Sequence, residues 1–149
     1  MAYSLGAIQI ALIALYRSDI TLRGLMSPAT GPDWGIYDQG GNGRSVPLFP
    51  LLVVRPIFAR TGSVISFGKD AIDVFVQVDT FTNEIGYAHA RTIAGRAYNL
   101  LEGPVAGPLA IAGGFINCLT LLDNHQELEE VHGTLVQHIA DRYKLWVQG

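Results

Sequence analysis

The rhythm of hydrophobic and polar positions changes along the chain, and each change marks an element. From 4 to 17 the stretch SLGAIQIALIALYR sets Leu5, Ile8, Leu12, Leu15 and Tyr16 on one stripe at helical spacing, with Ser4 as the cap. Ile10 and Ile13 fall off that stripe. The pattern predicts a helix with two apolar faces, one for this chain's own sheet and one for a neighbouring subunit. SDITLRGLMSP then reads as one short helical turn, begun by Ser18 or Asp19 and ended before Pro28.

A glycine-rich loop follows, with prolines at 32, 47 and 50, in which Ile36 and Tyr37 suggest a very short strand. LLVVR at 51–55 is a continuous apolar run and predicts a buried strand. Pro56 has no N–H for a ladder, so that strand is expected to end there or to lie at an edge. Residues 59–71 read as a polar connection at the tip of a long hairpin. AIDVFVQVDTF alternates most clearly, with Val74, Val76 and Val78 facing one way and Asp73, Phe75, Gln77 and Asp79 the other. The period then switches. Tyr87, Ala90, Ala94, Ala97, Tyr98 and Leu101 form an apolar helical stripe, and His89, Thr92, Arg96 and Asn99 a wet one. This predicts a helix from about 84 to 101, capped by Thr82 or Asn83 and stopped at Gly103-Pro104. LAIAGGFINCLTLLD at 109–123 predicts a strand, or a strand pair broken at Gly113-Gly114, and NHQELEEVHG an acidic turn. The stretch 134–148 fits a helix or a strand, and the β-branched and aromatic residues near its end favour strand. The sum is an α+β fold in one domain over 1–149: a mostly antiparallel sheet with two helices, 4–17 and 84–101, packed on one face.

Composition adds an expectation of assembly. Charged residues are only 15% of the 149, against about 25% in an average domain. A chain so poor in charge is expected to hide more surface than a monomer can. The formal net charge of −3 argues against a nucleic-acid grip built on a basic face. The first apolar run, Leu5 to Tyr16, is shorter than the ~20 residues that span a bilayer, and no Lys or Arg precedes it. Neither a membrane contact nor a signal peptide is expected. Cys118 is the only cysteine, so no intrachain disulfide forms, which suits a reducing compartment.

Candidate chemistry is sparse. GSVISFGKD at 62–70 fails as a phosphate-binding loop, with five residues between its glycines and Asp70 after Lys69. GGNGR at 40–44 lacks a following helix and reads as a flexible loop. Asp123, His125 and Glu127 alternate and could share a strand face as metal ligands, but in a polar turn they lack a fixed scaffold and read as solvated. His132 and His138 read as surface histidines. Cys118, in an apolar strand, reads as a small hydrophobe. Asp70, Asp73 and Asp79 read as charges that keep a hairpin edge soluble. No catalytic, cofactor or metal residues are assigned.

The order of these segments carries a resemblance. ALYRSDITLRGLM (14–26), GIYDQG (35–40), FPLLVVR (49–55), VFVQVDTFTNEIGYAHARTIAGRAYNLL (74–101) and HIADRYKLWV (138–147) together resemble the tail-completion, or tail-terminator, family of long-tailed bacteriophages. All the matching positions are core pattern, and the loop at 31–46 is longer than the family's. The resemblance implies a non-enzymatic virion subunit in the tail or neck. It would assemble as a hexameric ring that caps the tail tube protein, ends tube growth and meets the head–tail connector or stopper. DNA would pass through the lumen without sequence-specific binding, and no cofactor is implied. The alternatives are another neck ring, such as a head-completion or stopper protein, and a small ligand-binding domain or enzyme using His89, Arg91 or Asp79. Candidate contacts are Ile10, Ile13 and Trp34, the last in the loop 31–46. Arg60, Ile65, Phe67 and Lys69 join them from the connection at 59–70, where two apolar side chains would need a partner's cover.

Overall fold

The computed structural model describes residues 5–27, 33–38, 49–61, 71–84, 86–102, 109–111, 114–131 and 133–148. It has an α+β architecture: α1 (Leu5–Ser18), α2 (Ile20–Leu25), β1 (Ile36–Tyr37), β2 (Leu51–Thr61), β3 (Ala71–Thr82), α3 (Ala88–Glu102), β4 (Leu109–Ile111), β5 (Gly114–Val131) and β6 (Thr134–Gln148). The strands form one sheet in the order β1-β2-β3-β6-β5-β4. Every pairing is antiparallel except the two-residue β1 on β2.

β3 lies inside the sheet, between β2 and β6. Its alternation decides the layers. Val74, Val76 and Val78 are buried in one cluster with Ile8, Leu12 and Tyr16 of α1 and Ile93 and Ala97 of α3. Opposite them in the ladder stand Leu145, Tyr143 and Asp141 of β6, so the same parity of β6 turns toward the helices. Both long helices thus cover one face. Burying these aliphatic side chains contributes about 1.5–3 kcal/mol each before chain entropy is set against it.

The helical layer is tied by polar groups at its joints. Asp19 caps α2, its carboxylate accepting from the Leu22 N–H at 2.8 Å. The same carboxylate takes a forked pair from Arg96 of α3, at 2.7 and 2.9 Å. His89 Nε2 meets the Leu25 carbonyl at 2.8 Å, at the end of α2. Arg17 donates to the Ile36 carbonyl at 2.6 and 3.1 Å, and Gln9 to the Val54 carbonyl at 2.8 Å, fixing α1 on β1 and β2.

Some open expectations are decided and others need correction. The stretch 124–131 is not a turn but the second half of an 18-residue strand, and the reversal is made around Gly133, at φ +78°. The 109–123 segment is the strand pair β4 and β5. Pro56 does not end β2; it sits beside a bulge where, among the described residues, no strand pairs the outer edge. α3 begins at Ala88 rather than 84, because the chain turns through Gly86 at φ +83° and the first helical bond runs from Arg91 N–H to Tyr87. Ile93, absent from the expected stripe, is fully buried, while Arg96 and His89, placed on the wet stripe, are half-buried by their partners on α2.

The Asp19 carboxyl is held below its usual range chiefly by the Arg96 hydrogen bonds, which with the Leu22 N–H outweigh its partial burial. A depressed folded value means stabilisation that is full above the unfolded pKa near 4 and lost as pH falls through the folded one. Asp19→Ala is expected to lower stability by about 1–2 kcal/mol at pH 7, through the lost cap and a partly exposed ion pair. The gap between variant and parent should shrink toward pH 3, read by urea denaturation at both pH values. An unchanged gap would mean that the carboxylate contributes by packing alone.

Candidate functional site

The expected contact residues separate. Ile10 is 71% exposed, whereas Ile13 is buried in the core cluster. The two meet at the rim and floor of an open groove of about 400 Å³ that Ala14, Arg17 and Asp38 complete. Trp34 sits in the tight turn before β1, at φ +54°, with the Arg23 guanidinium 5.0 Å over its ring. Arg60 pairs with Asp73 across β2 and β3, its side chain outside the described set, and Ile65, Phe67 and Lys69 lie outside the described residues. Exposed apolar side chains also occur at Ile20 of α2 and at Leu128 and Leu135, at the far end of the β5–β6 hairpin.

The other face of the sheet, on which no helix packs among the described residues, carries a charged network centred on Asp79 and His138. Asp79 is 1% exposed. Its Oδ1 accepts from Gln77 at 2.8 Å and lies 2.7 Å from His138 Nε2, and its Oδ2 accepts from Arg55 at 2.6 and 3.0 Å. Burial opposes ionisation of Asp79, but the hydrogen bonds from His138, Gln77 and Arg55 outweigh it and hold the carboxyl below the usual range. For His138 burial also disfavours the charge, and the bond and field of Asp79, helped by Glu129, overcome it and lift the imidazole to about 9. Its Nδ1 faces Glu127 at 3.0 Å and Glu129 at 3.1 Å, and Phe81 stacks on the ring at 4.3 Å. Glu127 is held below its usual range, first by its hydrogen bond with Glu129 and then by His138 and His125.

A second polar group sits under α3 on the other face. Asp141 accepts hydrogen bonds from Asn124 and, at 3.3 Å, from the Tyr143 hydroxyl. Burial raises the Asp141 carboxyl, and those bonds only partly oppose it. Burial likewise pushes the Tyr16 and Tyr143 phenols up, beyond any physiological titration. Asp141, Tyr143 and Asn124 line a cleft of about 240 Å³ between α3 and the β5–β6 strands, bridged at one side by the Arg91–Gln126 hydrogen bond of 3.0 Å.

Sequence reasoning missed the network for definite reasons. Asp73 and Asp79 were expected to solubilise an edge, yet β3 is an inner strand and both are buried, at 2% and 1% exposure. His138 was read as a surface histidine and is 8% exposed. Reading 124–131 as a turn hid the fact that Glu127 stands opposite His138 in the ladder. The available signal was Asp79 itself. A carboxylate on a strand with apolar residues on both faces requires, once that strand is paired on both sides, a cationic or hydrogen-bonding partner on its neighbours.

No protein-family model and no curated protein matches the sequence. Among solved structures the chain is similar over 99% of its length to the whole of one chain of the virion of a native gene transfer agent particle, at 20% identity and a TM-score of 0.68. That likeness establishes a shared fold. Among the described residues no helix is long and apolar enough to cross a membrane.

Removing Asp79 would leave a buried imidazolium without its closest counter-charge. Asp79→Ala is expected to cost about 3 kcal/mol in chemical denaturation, as breaking a buried pair does. Glu130→Ala, at an exposed position of the β5–β6 hairpin outside the network, should change stability by less than about 0.5 kcal/mol. Equal effects of the two would show that the network has no stabilising role.

Proposed function

We propose that this chain is a structural subunit of a phage-like virion, acting as a tail terminator. In this reading copies of the chain close into a hexameric ring that caps the tail tube, ends its growth and offers a surface to the head–tail connector, with DNA passing through the lumen. The observation that carries the reading is the end-to-end likeness to a virion chain, 99% of one and 100% of the other, in a protein whose segment order independently resembles tail terminators. The exposed apolar residues support it. A closed ring uses a heterologous interface, in which two different patches meet. Ile10 beside its groove and Leu128 with Leu135 at the hairpin end are two such patches on different parts of the molecule. Ile13, Trp34, Arg60, Ile65, Phe67 and Lys69 are further candidates for contacts with neighbouring copies or the tube. A mildly acidic subunit, at −3, suits a channel along which DNA slides without adhering.

The second reading, another ring of the neck, rests on the same fold and separates by phenotype. Particles lacking a terminator should carry tubes of uncontrolled length. Particles lacking a stopper should carry tubes of normal length beside unjoined heads. Electron microscopy of particles from a strain deleted for this gene distinguishes them, and normal particles would end both readings. Ile10→Asp should leave the isolated subunit folded, since the side chain is exposed, and should abolish ring formation in sedimentation or native mass spectrometry. Rings that form unchanged would remove Ile10 from the interface.

A further inference from the structure

The helix-free face holds a set of ligand atoms for which the assembly role has no use. Glu127 and Glu129, two positions apart on β5, and His138, opposite Glu127 on β6, present ligand atoms all within 4.8 Å of one another. We propose that Glu127, Glu129 and His138 form a binding site for one divalent transition-metal cation of the zinc class, with His138 ligating through Nδ1.

Three features of the geometry carry this. First, two carboxylate oxygens converge on one ring nitrogen, Glu127 Oε1 at 3.0 Å and Glu129 Oε1 at 3.1 Å. A single N–H can point at only one of them. A cation serves all three atoms at once, and ligand atoms about 2.0–2.1 Å from a tetrahedral zinc lie roughly 3.3 Å apart, so only small movements are needed. Second, the other ring nitrogen is already held. His138 Nε2 lies 2.7 Å from Asp79 Oδ1, and Asp79 is itself fixed by Arg55 and Gln77. A carboxylate on the far nitrogen of a ligating histidine is the usual support of such a ligand, because it fixes the ring and raises its basicity. Asp79 is 1% exposed and does not itself reach the site's mouth, so its place is behind the histidine. Third, three carboxyl groups, of Asp79, Glu127 and Glu129, face one imidazole and one guanidinium. A divalent cation would add positive charge where carboxyl groups outnumber the cationic side chains beside them.

The scaffold is a paired hairpin, so ladder hydrogen bonds set the spacing of the ligands. One imidazole with two carboxylates suits zinc or its first-row neighbours, while magnesium and calcium favour all-oxygen shells. Three protein ligands leave the fourth position to water. His125 lies next on the same strand face, its Nε2 3.3 Å from the second oxygen of Glu127.

The test is a titration of the metal-stripped full chain with Zn²⁺ by calorimetry, with Co²⁺ as a spectroscopic probe whose visible bands report four-coordination. One Zn²⁺ per chain is expected, with a rise in melting temperature. The double substitution Glu127→Gln with Glu129→Gln keeps size and hydrogen bonding and alters only half-exposed side chains. It should weaken Zn²⁺ at least tenfold and abolish the Co²⁺ bands, with far-ultraviolet circular dichroism unchanged. His138→Gln should do the same, and if that variant fails to fold, the glutamate pair decides. Asp79→Asn should weaken binding by about 10- to 100-fold, and exposed Glu130→Gln should leave it as it is. Fewer than one Zn²⁺ per chain, or less than a tenfold effect of the glutamate pair, overturns the proposal.

Discussion

The structure depends on the antiparallel register between β3 and β6, Ala71–Thr82 against Gln148–Gln137. A strand sends successive side chains to opposite faces, so this one register assigns every central residue to a layer. It sends Val74, Val76, Val78, Tyr143 and Leu145 to the helices, and Asp79 and His138 to the helix-free face. A slip by one residue would place Asp79 among aliphatic side chains with no cation in reach, and would lift three valines out of the core. The apolar cluster on one face and the ionic network on the other are two independent locks on one register.

The two faces are held by different physics. Under the helices the terms are area and packing, spread over many residues and tolerant of small changes in any one. The network opposite is concentrated. Asp79 accepts from Gln77, His138 and Arg55, so removing it disturbs every partner. Burial makes such a group costly when unpaired and directional when paired. The helical layer repeats that logic at a smaller scale, since both oxygens of Asp19 are used to join α2 to α3.

Much of this was legible in the sequence, and the parts that were not share a cause. α1, β3 and the order of the elements followed from periodicity, because their apolar positions repeat at 3.6 or at 2 without interruption. The short α2 followed from its capping residues. The second half of β5 was illegible because its periodicity is written in charge. Its half-buried positions are Glu127 and Glu129, and its alternate positions are exposed polar residues and Leu128. A strand whose inward side chains are carboxylates looks like a turn until its partner strand is known, and the partner's contribution, His138, lies on a segment that fits a helix as well as the favoured strand. The site was hidden for the same reason: its members come from β3, β5 and β6, and only the sheet brings them together. Ile93 was missed because alanine-rich stripes leave the centre of a helical face open to more than one assignment.

The long outer flank of β5 has a consequence for how the protein behaves in bulk. Beyond Ile116 no described strand pairs it, and residues 121–126 are exposed. An open edge is a template on which another chain can add. This one carries Asp123, Glu127, Glu129 and Glu130 and no Lys or Arg between 117 and 131. These acidic side chains, partly offset by Arg142 and His138, set like charge against a second such edge. That makes the dispersal of the free subunit colloidal in character. Concentrated salt, which shortens the reach of charge to a few ångströms, removes the barrier without touching the fold. Unassembled subunits are then expected to associate more readily as the ionic strength around them rises.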